Sequence, residues 1–337
     1  MISKKWLQAT TVVGVVALAL AACGGDDDDA NTGNDSVDNA SNDGSPDGEG
    51  LSGSVLIDGS STVAPLSETA AELFQAENSD VQVTVGTSGT GGGFERFCIG
   101  ETDISDASRP IKDEEAALCA DNGIEFAEIQ VANDALSAVV HPDNPLECIS
   151  VEALNQMWDL NSPVDSWGDI QGLDTEVPDE PLTLFGPGSD SGTFDYWTEE
   201  VNGETGRIRT DYNSIGEDDA AAINGVASDP GASAFIPFSY IETAGGAVKP
   251  LSVVNPDTGE CVEPTLDNVL TGAYAPLGRP LFVYPSAQAL ERPEVLAFVD
   301  FYLENQEQIT TEATFIPMNE DQLAESQARV ADLHGGS

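Results

Sequence analysis

Basic residues are scarce in this chain: 11 Lys and Arg stand against 60 Asp and Glu in 337 residues, a formal net charge of −49. That excludes nucleic acid as a partner, because a polyanion is held by clustered cations that neutralise its phosphates. The excess suits solubility in salty surroundings, where acidic surfaces keep proteins dispersed. Histidine is rarer still, with only His141 and His334. There is no His cluster, no Cys-x-x-Cys, no Gly-x-Ser-x-Gly and no Walker loop, so neither a metal nor a cofactor is expected. Beyond the first two dozen residues no apolar run approaches the roughly 20 residues that a membrane span needs.

The start of the chain is different. Residues 1–22 read as an export signal, with Lys4 and Lys5 ahead of an apolar stretch that ends in small residues. Leu20-Ala21-Ala22-Cys23 resembles the bacterial lipobox, which predicts Cys23 as a lipidated, mature N-terminus and an extracytoplasmic, membrane-anchored protein, in the periplasm where an outer membrane exists. Residues 23–50, rich in Asp, Asn, Ser and Gly, read as a disordered acidic tether. The folded body begins near Leu51 and is long enough for two lobes. Cys98, Cys119, Cys148 and Cys261 form an even set, which in an exported chain reads as two disulfides with three possible pairings. Cys98–Cys119 with Cys148–Cys261 is preferred because the first closes a short loop within one lobe.

What the chain has in abundance is glycine and hydroxyl side chains at the ends of apolar runs. Val55-Leu56-Ile57 passes into Asp58-Gly59-Ser60-Ser61-Thr62, Val81 to Val85 into Gly86-Thr87-Ser88-Gly89-Thr90-Gly91-Gly92-Gly93, and Leu182 to Phe185 into Gly186-Pro187-Gly188-Ser189-Asp190-Ser191-Gly192-Thr193. Each passes from strand-like into helix-forming sequence. A helix N-terminus presents unpaired N–H groups and the positive end of its dipole, and glycine lets a ligand come close. Each site alone reads as a capped helix start. Three converging would make an anion cage.

The rest alternates as an α/β protein does. Strands are predicted near 54–58, 81–85, 103–107, 135–140, 182–185, 234–237 and 281–284. Helices are predicted near 65–77, 91–98, 113–121, 151–158, 194–201, 218–226 and 293–305. Trp158, Trp167 and Trp197, and the Phe298-Phe301-Tyr302 face, read as packing.

Asp58-Gly59-Ser60-Ser61-Thr62-Val63-Ala64-Pro65, Gly86-Thr87-Ser88-Gly89-Thr90-Gly91-Gly92, Asp103-Ile104-Ser105-Asp106-Ala107-Ser108-Arg109-Pro110 and Asp190-Ser191-Gly192-Thr193-Phe194 resemble, in that order, the phosphate-binding lipoproteins of bacterial ABC importers. The resemblance runs from about Ser52 to Ile309 and takes in Arg279-Pro280-Leu281. It implies a two-lobed type II periplasmic-binding-protein fold with mostly parallel sheets, flanking helices and hinge strands. Lobe one would be residues 51–135 and 281–337, the latter with a C-terminal tail, and lobe two 136–280. The resemblance further implies a monomer that is no enzyme, with inorganic phosphate and the permease's transmembrane subunits as partners. Its binding residues would be Ser61, Thr62, Ser88, Asp106, Ser108, Arg109, Ser191, Gly192 and Thr193.

Two positions depart from the family. Pro187 stands where the best-studied members carry an Arg, so charge compensation falls to Arg109, with Arg207 and Arg209 next. The carboxylate that accepts a proton from the ligand aligns with Ser108 without a gap and with Asp106 after a shift. That acceptor separates phosphate from sulfate, molybdate or tungstate, because a ligand with no proton leaves it unpaired. Other classes are a surface adhesin or scaffold, which would not need three glycine-hydroxyl sites, and a serine hydrolase, for which Ser191 has only His141 as a base.

Overall fold

The computed structural model describes residues 50–189, 191–216 and 218–335, so the export signal, Cys23 and the tether through residue 49 lie outside the described residues. The first part of the body runs β1 (Gly53–Gly59), α1 (Ala64–Glu77), β2 (Val81–Gly86), α2 (Gly89–Phe97), β3 (Ile104–Ala107) and α3 (Asp113–Asp121). The middle follows with β4 (Ile129–Val140), β5 (Cys148–Ile149), α4 (Val151–Trp158), β6 (Thr183–Gly186), α5 (Gly192–Asn202), β7 (Asn213–Ser214), α6 (Asp219–Ser228), β8 (Ala232–Pro237) and α7 (Ser239–Ala244). Then come β9 (Lys249–Pro250), β10 (Ser252–Val254), β11 (Cys261–Val262), α8 (Leu266–Leu270), β12 (Gly278–Pro285), α9 (Ala287–Leu290), α10 (Pro293–Glu304), α11 (Gln306–Glu312) and α12 (Glu320–Gly335).

Local chemistry explains the boundaries. α1 starts beside Pro65, whose fixed φ suits a first turn, and it buries Leu66, Ala70, Ala71 and Phe74 along one face. α5 ends at Gly203, held at φ 77, a left-handed stop that side chains resist.

Hydrogen bonding runs unbroken through β2-β1-β3-β12-β4-β8-β6-β7. Toward the two ends the neighbours are parallel, β1 with β2 and β3, and β6 with β7 and β8. In the middle they are antiparallel, β12 with β3 and β4, and β4 with β8. The expected parallel order thus holds away from the centre and fails there for a physical reason. The chain leaves the first apolar core along β4 and returns along β12, so the two crossing strands run in opposite directions.

Those cores are distinct. Val55, Ile57, Phe74, Ile129, Val131, Phe298 and Tyr302 belong to one cluster, and Leu136, Trp158, Trp197, Phe235 and Tyr274 to another. β4 contributes Ile129 and Val131 to the first and Leu136 to the second. The Phe235 ring stacks on Trp197 at 4.4 Å and meets Trp158 edge-on at 4.8 Å, so these tryptophans pack as expected.

Both preferred disulfides are present. Cys98–Cys119 ties the end of α2 to α3, and Cys148–Cys261 joins β5 to β11 across the small sheet β11-β10-β5. The C-terminal stretch holds more order than a tail. α12 lies along β4, where Ser326 Oγ donates to Gln130 O at 2.9 Å and Arg329 meets Glu128 at 3.2 Å.

Candidate functional site

The three glycine-hydroxyl sites become the starts of α1, α2 and α5. None has a side-chain cap: Val63, Ser88 and Ser191 occupy the N-cap positions without bonding the first turn. Four other helices are capped by their own side chains, Ser150 on α4, Asp218 on α6, Thr265 on α8 and Ser286 on α9, while α10 and α11 also lack such a cap. The Ser191 hydroxyl therefore makes no bond to its own helix end, while the Ser88 hydroxyl turns to Asp58 instead.

Backbone approach is close at these ends. A Cβ on Gly93 would fall 2.6 Å from Gly59 Cα, so α2 presses on the end of β1 as only glycine allows. Asp58 then holds the loop, accepting Gly59 N–H at 2.8 Å and Ser88 N–H at 2.9 Å. Although burial works against it, those donors, the Ser88 hydroxyl and Arg96 keep the Asp58 carboxyl below its usual range. Across from this, a Cβ on Gly192 would come 3.3 Å from Thr62 Cα, so the α5 start touches the α1 start.

That contact separates two cavities that share Ser61 and Thr62. One, about 250 Å³, is lined by Ser88, Thr90, Ser108, Arg109, Asp195, Glu199 and Arg279 among others. The other, about 200 Å³, is lined by Ser191, Gly192, Thr193, Asp134 and Asp219 among others. Eight of the nine expected binding residues line one or the other. Neither His141 nor His334 does, so Ser191 has no histidine base beside it in these cavities.

A domain model for the PBP superfamily matches residues 41–306. The chain belongs to the PBP superfamily. Its superfamily relatives include protein SphX of Synechococcus elongatus, 44% identical over 266 residues, covering 78% of this chain and 77% of that one. The phosphate-binding protein PstS of Staphylococcus epidermidis is 34% identical over 316 residues, covering 93% and 89%. Among solved structures, a possible phosphate binding protein from Planctomyces limnophilus superposes with a TM-score of 0.80 at 39% identity, covering 84% of this chain and 99% of that one. The type II binding-protein architecture that the motifs imply is the one this superfamily member has.

Within that frame the charged residues sort themselves. Arg109 lines the larger cavity, but its guanidinium is held by Glu115 through two bonds of 2.7 and 2.8 Å. Arg207 pairs with Asp159 at 2.6 Å and Arg209 with Asp211 at 2.6 Å, and neither lines the two cavities.

Arg279, on the crossing strand β12, is the cation that the charge argument did not single out. It is 9% exposed, donates to Thr62 Oγ1 at 3.3 Å, and sits over the Tyr196 ring with 3.3 Å from Cζ to the centroid. It forms ion pairs with Asp134 at 3.7 Å and Glu199 at 3.9 Å, while its Nε has no hydrogen-bond partner, which leaves the guanidinium a donor to spare. The one cue in the sequence was an Arg within an otherwise apolar run; its place opposite Asp134 comes from the register of the sheet.

Asp106 lies beneath the site, lining neither cavity. It is fully buried; Ser67 Oγ donates to its Oδ1 at 2.9 Å, and Oδ2 has no hydrogen-bond partner. Burial raises its pKa to about 8, with the charges of Asp58 and Glu68 adding to the rise and the Ser67 bond opposing it.

Proposed function

We propose that this chain is an extracytoplasmic solute-binding protein that captures inorganic phosphate and delivers it to an ABC importer. The observation that carries the reading is that the starts of α1, α2 and α5, none capped by its own side chain, come together around cavities shared by Ser61 and Thr62. Uncapped helix N–H groups, the hydroxyls beside them and the buried Arg279 with its unpartnered Nε together suit a small tetrahedral anion. Its relative in Staphylococcus epidermidis is a phosphate-binding protein, which narrows the anion.

In this reading the lobes are residues 51–135 with 281–337, and 136–280, and the chain acts as a monomer without catalysis. They meet over the anion, Ser61, Thr62, Ser88, Ser108 and Arg109 serving from the first, and Ser191, Gly192 and Thr193 from the second. The Thr62–Gly192 contact is then where the anion must part the two. Cys23 anchors the protein outside the membrane. Arg279, on β12, supplies the charge.

Titration calorimetry with phosphate, sulfate, molybdate and tungstate tests this. Tight phosphate binding is expected, weakened at least about tenfold in Arg279→Ala, since a bond to a charged ligand contributes roughly 1.5–3 kcal/mol. If none of the four anions binds, the cage is wrong.

A further inference from the structure

Every hydroxyl and cation in the larger cavity favours an anion, and two side chains there do not: Asp195 and Glu199 also line it. Glu199 faces Arg279 at 3.9 Å and is 42% exposed at its side chain, a rim position. Asp195 is different. It stands in the first turn of α5, across the Thr62–Gly192 contact from α1, and its Oδ2 accepts the Ser61 hydroxyl at 3.0 Å. Ser61 is one of the residues expected to donate to the anion, so Asp195 now occupies a donor that the ligand would claim.

A carboxylate among anion donors works against a ligand that offers no proton, because like charges meet and an acceptor is left unpaired. It is favourable only where the ligand carries an O–H to give it. We infer that Asp195 is the residue that reads the proton of the bound oxyanion, accepting its O–H once the ligand takes over the Ser61 hydroxyl. This rests on the phosphate reading above and deepens it, since it names what selects a protonated oxyanion over a fully ionised one. Asp106, the acceptor expected from the motif, lines neither cavity and is held by Ser67 within its own half of the molecule. The selecting carboxylate thereby moves from β3 to α5, onto the opposite face of the cleft.

The test compares phosphate and sulfate affinity in the purified protein and in Asp195→Asn, by calorimetry at one pH. A site built around a hydrogen bond rejects the partner lacking it by large factors, so the parent should prefer phosphate by at least about a hundredfold. Asp195→Asn should bring that ratio below about tenfold, chiefly by admitting sulfate, a gain of affinity that mere structural damage would not produce. Should that variant fail to fold, Asp195→Ser carries the same comparison. Discrimination that survives loss of the Asp195 carboxylate overturns the assignment, as does discrimination that disappears in Asp106→Asn instead. A parent that binds neither anion refutes the phosphate reading itself, and the inference with it; a parent that binds phosphate selectively while Asp195→Asn does too refutes the inference alone.

Discussion

Single residues show how burial changes the meaning of a side chain. Asp106 looked like a ligand acceptor in its motif, yet it sits where water cannot reach, with Asp58 and Glu68 nearby and Ser67 and Tyr302 as its polar company. With a folded pKa of about 8, against about 4 for an unfolded aspartate, it is protonated in the fold at neutral pH. A raised carboxyl pKa penalises the folded state once pH exceeds the unfolded value. The penalty therefore grows from about pH 4 to about pH 8 and is constant above that, by up to about 1.4 kcal/mol per pH unit. Asp106→Asn should remove this slope, so thermal melts should find the variant gaining on the parent as pH rises from 5 to 8. An equal difference at both pH values would show that the buried carboxyl is not protonated. Arg279 shows the converse, for it stands in the resembling Arg279-Pro280-Leu281 stretch but shows itself as a cleft cation only once β12 lies beside Asp134. A partner so far away in sequence leaves no local pattern.

Elements were more legible than residues. α3, α4, β1 and β2 stand within a residue or two of their predicted bounds, α4 and β1 because each buries a regular apolar face. β4 is longer than its apolar run: Gln130, Asn133 and Asp134 break the hydrophobic pattern, and the sheet keeps them because Gln322 and Arg279 answer them. α12 escaped notice because it buries little, Ser326 and Val330 fully and Leu323 and Leu333 in part, among many charged and amide side chains. α2 is the element on which the cage most depends, since Gly93 lets it lie against β1 and so brings Ser88 over Asp58. Gly93→Val should cost about 1–3 kcal/mol of stability by overpacking. It should also weaken phosphate binding at least about tenfold, read by denaturant melts and calorimetry on one preparation. Undiminished binding in a destabilised variant would remove Ser88 from the cage.

For the whole molecule, the composition poses a problem that the site must solve. A chain of formal charge −49 repels the anion it is proposed to collect, and the attraction of Arg279 and the helix ends reaches only a short way. Salt should therefore help. Raising ionic strength from about 0.02 to about 0.3 M shortens the Debye length from roughly 20 Å toward 6 Å, hiding the distant carboxylates more than the adjacent donors. Phosphate association, followed by rapid mixing at constant pH, should accelerate several-fold over that range. A rate that falls with salt would mean that the local cations dominate at every distance. The family and the two-core architecture were readable at this scale from the ordered motifs alone. The direction of the central strands was not, because it depends on how the chain crosses between cores.

That crossing has a consequence for how the protein is made. β4 is bonded on one side to β12, which is synthesised long after it, and on the other to β8. While the chain is still emerging, the stretch from Ile129 to Ala135 has an open edge awaiting its late neighbour, and the first core lacks Leu281, Val283 and the α10 face. Closing pairs so distant in sequence is slow. A nascent chain of this design is therefore kept pliable until almost its last residues have appeared, the condition in which a polypeptide can still be threaded through a narrow pore.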